Sequence, residues 1–135
     1  MKINSLQEFK QAAFNGMWRG LKSQGWKRSI NRVGACTYRQ NNKPSARVCC
    51  AVGWLIPDDR FRELRQARLC SSPAIQVVRF LADPLRDYAS NSVAAVRFLV
   101  DAQHRHDEGV GGVDMEWSFR NLANHHVLTI PDGDG

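Results

Sequence analysis

The 135-residue chain reads as a single α+β domain, residues 1–135: helix-rich, with five or six helices and a small antiparallel β-hairpin or three-stranded sheet. Three observations predict this class. Arg47–Asp59, RVCCAVGWLIPDD, holds the densest apolar run, uncharged from Cys49 to Ile56 and stopped by Pro57-Asp58-Asp59. Amphipathic segments with helix-cap signals lie on both sides of it. Two short β candidates, Ala35–Arg39 and Ala46–Cys50, flank the turn formers Gln40 to Ser45 and read as a hairpin.

The first helix has the clearest local signals. Ser5 and Glu8 have capping-box spacing ahead of Leu6, Phe9, Ala13, Met17 and Leu21, which share one face. Gly25 supplies a C-terminal stop, and Gly16 and Gly20 either weaken the interior or allow a neighbour to approach closely. The central run is too short to span a membrane, which takes about 20 apolar residues. It fits either a buried strand entering a short helix or a buried helix of two turns; periodicity does not separate them. A lone hairpin is marginal in water, so Val127-Leu128-Thr129-Ile130 is the expected third strand.

After the central run, Asp58 or Asp59 is expected to cap a helix reaching about Leu69, with Phe61, Leu64 and Leu69 inward. Ser72-Pro73 opens the next, through Ile75, Val78 and Leu81, and Asp83-Pro84 opens a short one. Ser90 or Asn91 is expected to cap a long helix from Ser92 to about Glu108, its inner face Val93, Val96, Leu99, Val100 and Gln103. Gly109 to Gly112 breaks the pattern, and Asp114 caps a last helix with Met115, Phe119 and Leu122. Residues 131–135 read as a polar, frayed tail.

Charge is divided unevenly. The net charge is +6, yet Phe9 to Pro57 contains no acid and nine bases, whereas Asp58 onward carries nine bases and twelve acids. Such asymmetry suits an anionic partner, either nucleic acid or an acidic protein face. Arginines outnumber lysines fourteen to five, which favours bidentate contacts to phosphate or carboxylate. The basic half interleaves aromatics with cations at Trp18-Arg19, Trp26-Lys27-Arg28 and Tyr38-Arg39, a composition suited to nucleic acid or to a protein interface. The expected partner-binding surface is Arg19, Lys22, Lys27, Arg28, Arg32, Arg39, Lys43 and Arg47.

Signals for chemistry are weaker. Cys36, Cys49, Cys50 and Cys70 include no C-x-x-C pair, and no metal or other cofactor is expected. An N-terminus without a secretory apolar core predicts a cytoplasmic protein with reduced thiols. The enzymatic alternative makes Cys50 a nucleophile with His106 and Asp107 as base and orienter. Against it, adjacent helical residues diverge by about 100°, and an apolar run makes a thiol inert.

Tyr38-Arg39, a turn, and then Cys50-Ala51-Val52-Gly53-Trp54-Leu55-Ile56-Pro57-Asp58 resemble a pattern of small accessory proteins of phages, prophages and plasmids, roughly C-x-Y-R, turn, C-A-x-G-x-L-I-P-D. Phe98-Leu99, Gln103, His106-Asp107, Trp117 and Leu122-Ala123 resemble their second half. That pattern often has histidine where this chain has Trp54. The resemblance implies a mobile-element protein acting in the cytoplasm of a bacterial host, without an agreed activity. The expectation is a non-enzymatic inhibitor that binds a host defence nucleoprotein complex, such as a CRISPR–Cas effector, through the basic surface. The alternatives are a direct DNA- or RNA-binding protein and a small cysteine-dependent enzyme.

Overall fold

A computed structural model describes residues 2–26, 49–68, 74–108 and 112–131, with backbone alone at 74, 107, 108, 112 and 113. Among the described residues there are five α-helices and two 3-10 helices, and no strand or sheet. Over the described residues the fold class is therefore helical, not α+β. The hairpin positions before Cys49 lie outside the described residues. The expected third strand, Val127–Ile130, is described, and it pairs with no strand.

Helix α1, Leu6–Ser23, is central: α3, α4, α5 and the turn formed by the central run all pack on it. Its start follows the sequence. Ser5 Oγ accepts from the Glu8 backbone N–H at 3.1 Å, and Glu8 Oε2 accepts from the Asn4 N–H at 3.2 Å. The predicted face is buried apart from Leu6, which is half-buried, and Phe14 and Trp18 add a second buried stripe. At its end the Trp26 N–H donates to the Leu21 carbonyl at 2.8 Å and the Gly25 N–H to that of Lys22 at 3.0 Å. This is a Schellman closure, with Gly25 at φ +68. It folds Trp26 back, edge-on to Trp18 with ring centroids 4.7 Å apart.

The central run does not form a two-turn helix. Val52–Leu55 is one 3-10 turn that breaks at Ile56, which Pro57 holds extended at ψ 116. Gly16 and Gly20 explain how the turn reaches α1. A Cβ on Gly16 would lie 2.8 Å from Leu55 Cδ2, and one on Gly20 would lie 2.2 Å from the Trp54 ring. Two buried glutamines fix the turn's backbone. Gln24 Oε1 accepts from the Cys49 N–H and from Trp54 Nε1, each at 2.9 Å, while Gln24 Nε2 donates to the Cys49 carbonyl at 2.7 Å. From the other side, Gln103 Oε1 accepts from the Val52 N–H at 3.1 Å.

Helix α2 spans Asp58–Gln66. Pro57, not Asp58 or Asp59, occupies the cap position, and the two acids fill the first turn, where they face the positive end of the helix dipole. Helix α2 stops short of Leu69, with Arg68 turned left-handed at φ 61. Ala74–Phe80 is 3-10 rather than α-helical. Three of its seven residues, Ile75, Val77 and Val78, are β-branched and lose side-chain freedom in an α-helix. Helix α3, Leu85–Ala89, brings Tyr88 onto Phe9, with stacked rings 5.4 Å apart.

Helix α4, Val93–Glu108, is capped by Ser92, whose Oγ accepts from the Ala95 N–H at 3.1 Å, rather than by Ser90 or Asn91. Its inner face is also displaced from the predicted one. Ala95, Phe98, Leu99, Ala102, Gln103 and His106 are buried, whereas Val93 is 70% and Val100 44% exposed. Helix α5, Gly112–His126, buries Met115, Phe119 and Leu122 as expected. The segment after it lies along α1. Gln7 Nε2 donates to the carbonyls of His126 and Val127, and Gln11 both donates to the Thr129 carbonyl and accepts its N–H, each at 2.9 Å. Pro131 is buried, so the tail is anchored that far.

Two substitutions test this packing. Gly20→Ala puts a methyl group into the Trp54 ring and should lower stability by about 1–3 kcal/mol. Gly16→Ala should cost less, because Leu55 Cδ2 is the end of a flexible side chain. Gln24→Leu removes the amide that bonds the Cys49 N–H, its carbonyl and the Trp54 indole, and should cost about 1–3 kcal/mol in urea denaturation.

Candidate functional site

Chemistry-bearing residues and charged residues are segregated between interior and surface. The Cys49 and Cys50 thiols are reduced and have no exposed surface. The Gly53 N–H points at Cys50 Sγ, 3.3 Å away, so the sulfur takes part in closing the 3-10 turn. His106 is also fully buried. It lies one turn beyond Gln103 on the same α4 face, and Gln103 touches the backbone two residues from Cys50. Cys50, Gln103 and His106 are thus all buried, and Gln103 bonds the backbone of the central turn. Buried in this way, Cys50 and His106 present no surface to a substrate. The Asp107 side chain lies outside the described residues.

Of the expected basic surface, Arg19 and Lys22 are described and both are exposed, one turn apart on the outer side of α1. Lys27, Arg28, Arg32, Arg39, Lys43 and Arg47 lie outside the described residues. Two of the aromatics interleaved with these cations, Trp18 and Trp26, have another role. Trp18 and Trp26 are 2% and 8% exposed and join Phe14 and Phe119 in a chain of ring contacts through the core. They are packing residues, not platforms for bases.

One polar cluster has no local signature in the sequence. Asp101 on α4 takes His126 Nε2 on Oδ2 at 3.1 Å and Arg105 Nε on Oδ1 at 3.3 Å. The Phe98 ring packs edge-on against His126, centroids 4.8 Å apart. His126 and Asp101 are 25 residues apart, and only the antiparallel seating of α5 on α4 unites them. The pair braces the two helices at the point where the C-terminal segment departs along α1.

Among the described residues no three His, Cys, Asp or Glu side chains converge to hold a metal ion, and no helix is long and apolar enough to cross a membrane.

The burial of Cys50 predicts a slow thiol. Cys49 and Cys50 should resist iodoacetamide near neutral pH in the folded chain and react at the rate of an unhindered cysteine once urea unfolds it. Mass spectrometry of the alkylated peptides checks this, and rapid labelling of Cys50 in the native chain would restore the nucleophile reading. No family model, curated protein or solved structure matches the chain.

Proposed function

We propose that this chain is a non-enzymatic accessory protein of a mobile element that binds and inhibits a host defence nucleoprotein complex, in the manner of an anti-CRISPR protein. The observation that carries this reading is the separation of chemistry from charge. The candidate nucleophile Cys50 and base His106 are sealed in the core, while Arg19 and Lys22 stand on the outer side of α1. The resemblance of the Cys50–Asp58 motif to small phage, prophage and plasmid proteins supports the mobile-element origin, and with it action in the cytoplasm of a bacterial host. The binding surface on this reading is the basic stretch that begins at Arg19 and Lys22 and continues through Lys27, Arg28, Arg32, Arg39, Lys43 and Arg47. Clustered arginines of this kind dock on acidic protein faces or compete for contacts to RNA.

The test is capture of partners from a bacterial lysate by tagged protein, with and without nuclease. The expected result is a stoichiometric protein partner that survives nuclease. Charge reversal at Lys27, Arg28 and Arg32 should abolish its capture while leaving the melting temperature nearly unchanged. Capture that persists in the reversed variant would remove the surface assignment, and nucleic acid alone, lost on nuclease treatment, would replace the protein partner with direct nucleic-acid binding.

A further inference from the structure

Helix α4 has two apolar faces. One, with Ala95, Phe98, Leu99 and Ala102, is buried in the core. The other is Val93, Val96 and Val100, spaced by three and four residues so that they share a stripe. Val96 is half-buried, and Val93 and Val100 are exposed. The stripe lines a cleft of about 600 Å³, which Ile75 and Ala89 also line. Among the described residues five large apolar side chains are exposed, and three of them, Ile75, Val93 and Val100, meet at this cleft. Exposed apolar residues scattered singly are ordinary, whereas their convergence on one concavity of this size is the mark of a ligand site.

The polar residues of the cleft narrow the ligand. Ser90 Oγ donates to the Arg86 carbonyl at 2.7 Å and Asn91 Nδ2 to that of Asp87 at 3.0 Å, so both are engaged at the end of α3. Ser92 Oγ is engaged in capping α4. Arg97 differs from these. It belongs to the same stripe, one turn from Val93 and from Val100, it is exposed, and it has no side-chain partner among the described residues. Asp101, the acid four residues further along α4, is already taken by Arg105 and His126. An aliphatic wall beside an unpaired guanidinium suits a molecule with a hydrocarbon tail and an anionic head. One guanidinium matches the single charge and planar fork of a carboxylate, whereas a phosphate monoester carries nearly twice that charge. We propose that this cleft binds a medium-chain aliphatic carboxylate, with Val93, Val96 and Val100 against its tail and Arg97 on its head group. The site does not depend on the host-defence reading.

The experiment titrates the isotope-labelled full chain with octanoate at neutral pH and reads the backbone amides by NMR. Octanol, which has the same tail and no charge, is the control ligand. Octanoate should give saturable shifts at Ile75 and along Ala89 to Val100, and should bind at least about tenfold more tightly than octanol, the worth of a charge-assisted hydrogen bond. Arg97→Gln should bring octanoate down to the affinity of octanol and leave octanol unchanged. Val93→Gln, at an exposed position, should weaken both ligands while leaving the melting temperature nearly unchanged. Absence of saturable shifts at the cleft, equal affinity for octanoate and octanol, or a preference for octanoate that survives Arg97→Gln would each overturn the site. So would sedimentation equilibrium showing a dimer that Val93→Gln dissociates, because a second copy of the chain would then be the occupant. Capture of a host complex is read separately, so failure of that reading leaves this titration unaffected.

Discussion

The amide of Gln24 is the contact on which the rest of the fold depends. It lies just beyond the last turn of α1, where the Schellman closure through Gly25 fixes its backbone. From there one side chain satisfies both backbone groups of Cys49 and the indole of Trp54. Those bonds set where the chain re-enters the core and hold the Trp54 ring over Gly20. Gln103 completes the grip from α4 by taking the Val52 N–H. A buried polar group left unmatched costs about 1–3 kcal/mol, so the network is worth having only when complete. The irregular run from Cys49 to Leu55 can be central to a helical protein because its backbone is satisfied by side chains of the helices around it.

The same device acts at the other end of the molecule. Gln11 meets the N–H and carbonyl of Thr129 as a neighbouring strand would, and Gln7 takes two more carbonyls. This explains why the β-rich composition of Val127–Ile130 does not produce a strand. β-Propensity describes fit to a pleated, half-buried surface, and here an amide on a helix supplies the hydrogen bonds. The competing partner lies 118 residues away in sequence, so no local pattern contains it.

What could be read in the sequence was local. The Ser5–Glu8 cap, the stop at Gly25, the inner face of α1 and the Met115–Phe119–Leu122 stripe depend on neighbours within a turn or two, and all appear in the structure. The face of α4 was misjudged because periodicity weights valines. The fold buries Leu99 and Gln103 as expected, but it also buries Ala95, Ala102 and His106 and leaves Val93 and Val100 outside. The reading of Trp18 and Trp26 failed for a related reason. An aromatic between cations in sequence lies between them in space only if all point the same way, and along α1 Trp18 turns inward while Arg19 turns outward.

Net charge hides placement by a similar averaging. Summed from Asp58 to the end, the second half is acidic, and α2 disappears into that sum. In three dimensions Asp58 and Asp59 sit at the helix's positive end and Glu63 lies against Arg60, while Arg62 and Arg65 are exposed along the helix. A ligand responds to the potential at a surface, not to the net charge of a stretch, so the placement of α2's acids matters more than their number. The fold thus sorts its ionisable residues by role. Cys50 and His106 are buried, whereas Arg19 on α1 and Arg62 and Arg65 on α2 are exposed.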